Sequence, residues 1–138
     1  MRVLFDTCII IDYFLNREGF AGDAETIITA VGREELDGIL TVKSLMDIHY
    51  VLKKYLHNEK KTRQILRILL DSFSLADSTA AETIQALDSP MNDFEDALMS
   101  ETAAVLNVDY IVTRNLKDSR NSRIPAITVK QLIAHIGS

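Results

Sequence analysis

Asn92-Asp93-Phe94-Glu95-Asp96-Ala97 sets three acids at the start of an otherwise apolar run that continues to Leu106. In a helix, positions three and four apart share a face, so Asp93 and Asp96 stack one above the other while Glu95 points elsewhere. Carboxylates held side by side repel by about 1 kcal/mol in water and by about 4 kcal/mol at an effective dielectric of about 20. A positive group between them relieves this, and a hard divalent cation is one candidate. The other reading is a helix N-terminus capped and charged by acids, which the macrodipole favours. Taken alone, the stretch favours the cap, and the placement of the remaining acids decides.

The elements that must position those acids follow from pattern. Arg2-Val3-Leu4-Phe5 reads as a short buried strand ending on Asp6, and Ile9 to Leu15 as a helix followed by a polar loop from Asn16 to Gly22. Ala24, Ile27, Ile28 and Val31 carry the spacing of an amphipathic helix over Asp23 to Val31. Gly38 to Val42 is a second strand, after which Ser44 is expected to cap a helix with Asp47 in its first turn. Asn58 to Leu70 is a basic amphipathic helix, Phe73 to Ala76 a third strand, and Ser78 or Thr79 to Leu87 a capped helix that Pro90 separates from the acidic one. Asp109 to Thr113 is the clearest late strand; Ala126 to Thr128 and Val129 to Ile136 supply a last strand and helix. Strands alternating with helices imply an α/β fold, a mostly parallel central sheet with helices on both faces. No repeat or long linker interrupts residues 1–138, so a single domain is expected.

Composition narrows the function. No apolar run approaches the roughly 20 residues that span a bilayer, and an acid at position 6 comes too early for a secretory apolar segment, so no membrane partner is expected. A lone cysteine, Cys8, forms no internal disulfide and fits a reducing, cytoplasmic setting. A net charge of −5 argues against wholesale electrostatic binding of nucleic acid, although acids gathered in one pocket would leave basic patches elsewhere.

In sheets of this kind, sites form beyond the carboxyl ends of the strands. Asp6 and Asp118 follow strands there, and Asp47, Asp93 and Asp96 fall near helix starts, so the layout sends five acids to one end. Without a matching set of cations they favour an oxygen-ligated ion such as Mg²⁺ or Mn²⁺. His49, His57 and His135 have no metal-ligand spacing, which disfavours zinc.

Leu4-Phe5-Asp6-Thr7, Asp93-Phe94-Glu95-Asp96-Ala97 and the segment from Ile111 to Asp118 together resemble the PIN-domain ribonucleases over nearly the whole chain. Many small bacterial members of that family are toxins of toxin–antitoxin pairs. The resemblance implies a PIN-like three-layer fold and a metal-dependent endoribonuclease. Its catalytic acids would be Asp6, Asp47, Asp96 and Asp118, with Asp6, Asp96, Asp118 and Asp93 as metal ligands and Thr113 and Asn115 in support. It also implies an RNA substrate and an antitoxin protein as partners. Asp47 stands where the family usually has Glu, Cys8 where Asn is frequent, and Ser119 where Phe is common.

Arg114 and Lys117 lie nearest the expected chemistry as contacts to RNA phosphates, with Lys53 and Lys54 further off; a solvated face is the ordinary role of such lysines. Apolar surface between the Asp47 helix and the basic helix suits an antitoxin or a homodimer. Three other readings compete with this one. A haloacid-dehalogenase-like phosphatase needs a second Asp two residues after the first, and position 8 is Cys. A Cys8 nucleophile has no evident base nearby. A catalytically impaired PIN-like module that binds RNA or protein keeps the fold without the cleavage.

Overall fold

In the computed structural model, which describes Met1 to Gly137 apart from the side chain of Asp118, Val3, Leu4 and Phe5 are each 0% exposed. A strand buried on both faces needs cover on both, and the rest of the chain supplies it. In chain order the elements are β1 (Arg2–Phe5), α1 (Thr7–Phe14), α2 (Ala21–Gly32), β2 (Asp37–Thr41), α3 (Val42–Leu56) and α4 (Glu59–Ser72). Then come β3 (Ser74–Ala76), α5 (Ala80–Leu87), α6 (Phe94–Leu106), β4 (Tyr110–Val112), a 3₁₀ turn (Leu116–Ser119), β5 (Ala126–Ile127) and α7 (Val129–Ile136).

The five strands lie in the order β3-β2-β1-β4-β5, and every pair is parallel. Side chains alternate across β1. Val3 and Phe5 join Leu40, Val112 and Ile127 in a core closed by residues of α1 to α4 and α7, whereas Leu4 joins Ile39, Ile111 and Ala103 of α6 on the other face. These are the three layers expected from the alternating pattern. Gly38 is the point of tightest approach, because a Cβ there would stand 2.8 Å from both Phe73 and Val31. Among the described residues, no helix is long and apolar enough to cross a membrane.

Several boundaries differ from the sequence expectation for local reasons. Thr41, not Ser44, caps α3: its side chain accepts from the Ser44 amide at 3.1 Å. The helix therefore starts earlier, at Val42, and Asp47 falls in its second turn rather than its first. Phe73 ends α4 instead of starting β3, its ring packed edge-on against Phe5 at 5.0 Å. Thr128 leaves β5 to cap α7 in a capping box with Gln131, as Thr79 does with Glu82 on α5.

Strand order fixes where a site can form. From β1 the chain moves outward through β2 to β3, then returns to the opposite side of β1 for β4 and β5. The reversal leaves a crevice beyond the carboxyl ends of β1 and β4, where an open parallel sheet binds its ligands.

Candidate active site

Register brings the first acid to that crevice. Phe5 pairs with Val112, so the next residues, Asp6 and Thr113, emerge side by side. The Asp6 amide donates to the Val112 carbonyl at 3.0 Å, and the Thr113 hydroxyl donates to Asp6 Oδ2 at 2.8 Å. Asp6 is also the N-cap residue of α1, yet its side chain makes no capping bond. Its carboxylate is thus turned away from its own helix and anchored by Thr113 instead.

Around Asp6 runs a cleft of about 100 Å³ lined by Thr7, Thr41, Lys43, Ser44, Asp47, Ser78, Glu95, Asp96, Leu98 and Met99 as well. Its floor is a set of hydroxyls: Thr7 and Thr41 both donate to Ser44 Oγ, at 2.9 and 3.1 Å. Ser78 on the far wall is hydrogen-bonded to the buried Thr102 at 2.7 Å. Four carboxylates, from Asp6, Asp47, Glu95 and Asp96, face one ammonium, that of Lys43. Lys43 Nζ lies 2.7 Å from Asp47 Oδ2 and 3.3 Å from Glu95 Oε1. Partial burial lowers its pKa, but the bonds and charges of Asp47 and Glu95 outweigh that and raise it, so the ammonium stays charged.

Asp93 occupies a different place from Asp96. As N-cap of α6, with φ −105° and ψ 127°, it lies outside the helix, and its Oδ1 accepts from the Asp96 amide at 2.9 Å. Helical spacing does not apply across a cap, so the expected shared face of Asp93 and Asp96 does not form. Glu95 and Asp96 line the cleft, and Asp93 is not among its lining residues. The backbone of Asp118 lies in the 3₁₀ turn, and its side chain, expected as a metal ligand, lies outside the described residues. Asn115 caps that turn, accepting from the Lys117 amide at 3.1 Å, and its own amide donates to Thr113 Oγ1 at 3.4 Å.

The expected RNA contacts disperse. Arg114 reaches the other side of α1, where it pairs with Asp12 at 2.9 Å and stacks over Phe20 at 4.5 Å. Lys117 is exposed on the 3₁₀ turn. Lys53 and Lys54 line an open groove with His49, Tyr50 and His57, and Lys53 lies 3.8 Å from Glu59. Burial, then the charge of Asp6, pushes the Cys8 thiol up to about 12, which works against a nucleophilic thiolate there.

Helical spacing turns Glu95 away from the other acids, whereas it lines the cleft, and no motif marks Lys43 or the hydroxyls of Thr7, Thr41 and Ser44. The spacing of four between Lys43 and Asp47 was a readable ion-pair signal. The reach of Lys43 to Glu95 was not, because it depends on where α6 packs.

Among the described residues, no three of His, Cys, Asp or Glu form a group that could hold a metal ion by themselves. The donors lining the cleft are nevertheless carboxylates and hydroxyls, with no imidazole or thiolate. Mg²⁺ is commonly held by one or two carboxylates together with waters and substrate phosphates rather than by an all-protein cage. The donor set fits such an ion.

Comparison with known proteins places the chain. The family model described as PIN domain matches residues 2–117. A toxin–antitoxin complex from Klebsiella pneumoniae contains a chain 25% identical to this one, covering 92% of this chain and 97% of its own, with a TM-score of 0.67. VapBC2 from Rickettsia felis, bound to a DNA fragment from their promoter, is 16% identical over 93% of this chain and 98% of its own, also with a TM-score of 0.67. VapBC-1 from nontypeable Haemophilus influenzae is 16% identical over 94% and 99%, with a TM-score of 0.63, and at such identities the likeness is one of fold. No curated protein matches the sequence. With the family model spanning most of its length, and with the sheet order and crevice described above, the chain belongs to the PIN domain family.

Proposed function

We propose that the protein is a metal-dependent endoribonuclease that hydrolyses RNA phosphodiester bonds in the acidic cleft, and that it serves as the toxin of a toxin–antitoxin pair. The observation carrying this reading is the Asp6 carboxylate, held by Thr113 at the strand reversal in a cleft with Asp47, Glu95 and Asp96. The similarity to a chain of the Klebsiella pneumoniae toxin–antitoxin complex supports the biological half of it. An antitoxin protein is the partner that follows; a homodimer and a cytoplasmic setting belong to the same proposal.

In the mechanism, Asp6 would be the central metal-holding group with its carboxylate anchored by Thr113, and Asp96 would complete the site, with Asp118 of the 3₁₀ turn as a further ligand. The chemistry that Mg²⁺ or Mn²⁺ would supply there is Lewis-acid polarisation of the phosphodiester and activation of water. Asp47, which lines the same cleft, would serve as the general base. The hydroxyl floor of Thr7, Thr41 and Ser44 gives hydrogen-bonding positions for substrate oxygens without adding charge. Arg114 is committed to Asp12, so the phosphate contacts fall to Lys117, Lys53 and Lys54.

A second reading, the impaired binding module, draws on Lys43, which already neutralises two of the acids. One assay separates the two. A mixed pool of structured and single-stranded RNA is incubated with Mn²⁺, Mg²⁺ or EDTA and with wild type, Asp6→Asn or Asp96→Asn. Metal-dependent cleavage lost in both variants supports the nuclease. Absence of cleavage, with RNA binding untouched by Asp6→Asn, supports the module.

A further inference from the structure

Lys43 is the one cation among the described residues that line the cleft, and its position is not that of an ordinary surface lysine. A lysine paired only with the acid four residues on along the same helix would leave the cleft alone. Here the ammonium touches Asp47 on α3 at 2.7 Å and also crosses to Glu95 on α6 at 3.3 Å. It therefore spans the two walls and neutralises two acids that share the cleft with Asp6 and Asp96.

We propose that Lys43 is a resident counter-ion with which a divalent cation must compete, so that Lys43 sets the metal affinity of the cleft. The inference rests on the metal-dependent reading above. Lys43 leaves Asp6 to the Thr113 hydroxyl and holds an oxygen of Asp47. Metal thus meets Asp6 with no ammonium bonded to it, while that oxygen of Asp47 becomes available only when Lys43 swings away. That movement is open to it, because the side chain is 43% exposed and ends a flexible stem. Displacement of Lys43 would also free an ammonium at the cleft mouth for a substrate phosphate.

The test is Mn²⁺ binding without RNA, read by the loss of the free-ion electron paramagnetic resonance signal. Wild type is compared with Lys43→Met, which keeps the stem, Lys43→Gln, which keeps polarity, and Lys43→Arg, which keeps the charge. Removal of a unit charge beside a divalent ion in a solvated cleft is expected to tighten binding about tenfold in the two neutral variants. Lys43→Arg stays within about twofold of wild type on the same argument. Weaker binding in Lys43→Met and Lys43→Gln would make Lys43 a strut that holds Asp47 in place, and unchanged binding would make it a bystander; either overturns the inference. Failure of wild type and every variant to bind Mn²⁺ would overturn the metal-dependent reading and the inference with it. Circular dichroism of each variant ensures that folded protein is compared.

Discussion

Asp6 and Asp12 stand at the start and within the body of the same short helix, yet they belong to opposite electrostatic regimes. Asp12 is 1% exposed, and its Oδ1 takes guanidinium groups from Arg17 at 3.2 Å and Arg114 at 2.9 Å. It borders an apolar pocket of about 220 Å³ between α1, α2 and the start of α7. Asp6 is half-buried and receives a neutral hydroxyl, while three further acids share its cleft. A buried carboxylate survives folding when cations compensate it, as at Asp12. Around Asp6 a hydroxyl holds one acid and a single ammonium bridges two others, the pattern on which the proposed metal-dependent reading draws. The balance of each cluster separates the two roles, whereas the net charge of −5 hides both.

The contrast breaks most sharply under substitution of the two acids. Asp6→Asn is expected to reduce RNA cleavage on the order of a thousandfold, about 4 kcal/mol of transition-state stabilisation, because the central ligand charge is lost. Its urea midpoint should barely move, since Thr113 can still donate to the amide oxygen. Asp12→Ala should do the reverse. Two guanidiniums lose their buried partner, and the unfolding free energy falls by about 3 kcal/mol, the low end for a broken buried pair because both arginines are partly solvated. Cleavage per folded molecule should hold. Urea denaturation and single-turnover cleavage on both variants would show whether the roles are as distinct as the geometry, and a stability loss in Asp6→Asn equal to that in Asp12→Ala would dissolve the contrast.

Much of this was legible in the sequence. The acids at Asp6, Asp47 and Asp96 could be sent to one end of the sheet from strand and helix order alone, because parallel strands return their carboxyl ends to one side. What escaped was fine geometry. One hydrogen bond from the Ser44 amide to the Thr41 hydroxyl oxygen starts α3 early and moves Asp47 by a turn. One cap at Asp93 removes that acid from the helical face and leaves Glu95 and Asp96 lining the cleft. Arg114, next to Thr113 in sequence, reads as a phosphate contact until Asp12 is seen buried without enough charge of its own helix to satisfy it. Periodicity describes elements, whereas caps and ion pairs between elements depend on distances that no spacing encodes.

A subtler test lies in the anchor of Asp6. Thr113→Val keeps the shape of the side chain and removes the 2.8 Å bond. The carboxylate then gains rotameric freedom, and cleavage is expected to fall about tenfold, while stability falls by about 1 kcal/mol, the usual net worth of one such bond. Thr113→Ser should restore most of the activity, because the donor returns. If Thr113→Val cleaves as well as wild type, Asp6 is positioned by the backbone alone.

The smallest expected effect concerns Glu59, an acid with cations in excess, at the far end of α3. Its carboxylate lies 2.8 Å from His49, 3.0 Å from Arg63 and 3.8 Å from Lys53. The His49 hydrogen bond holds its pKa below the ordinary 4.5; desolvation works against this, and Arg63 and Lys53 add to the lowering. A carboxylate whose pKa is depressed on folding stabilises the fold above its unfolded pKa, and that contribution disappears as pH falls through the lower folded value. Urea midpoints of wild type and Glu59→Gln should therefore differ slightly at pH 7 and converge below about pH 4. His49→Gln should shrink the difference at pH 7, because the first cause of the shift is gone. Cleavage should be indifferent to all of these changes. A loss of activity in Glu59→Gln would show that the RNA contacts proposed for Lys53 and Lys54 depend on this cluster of charges.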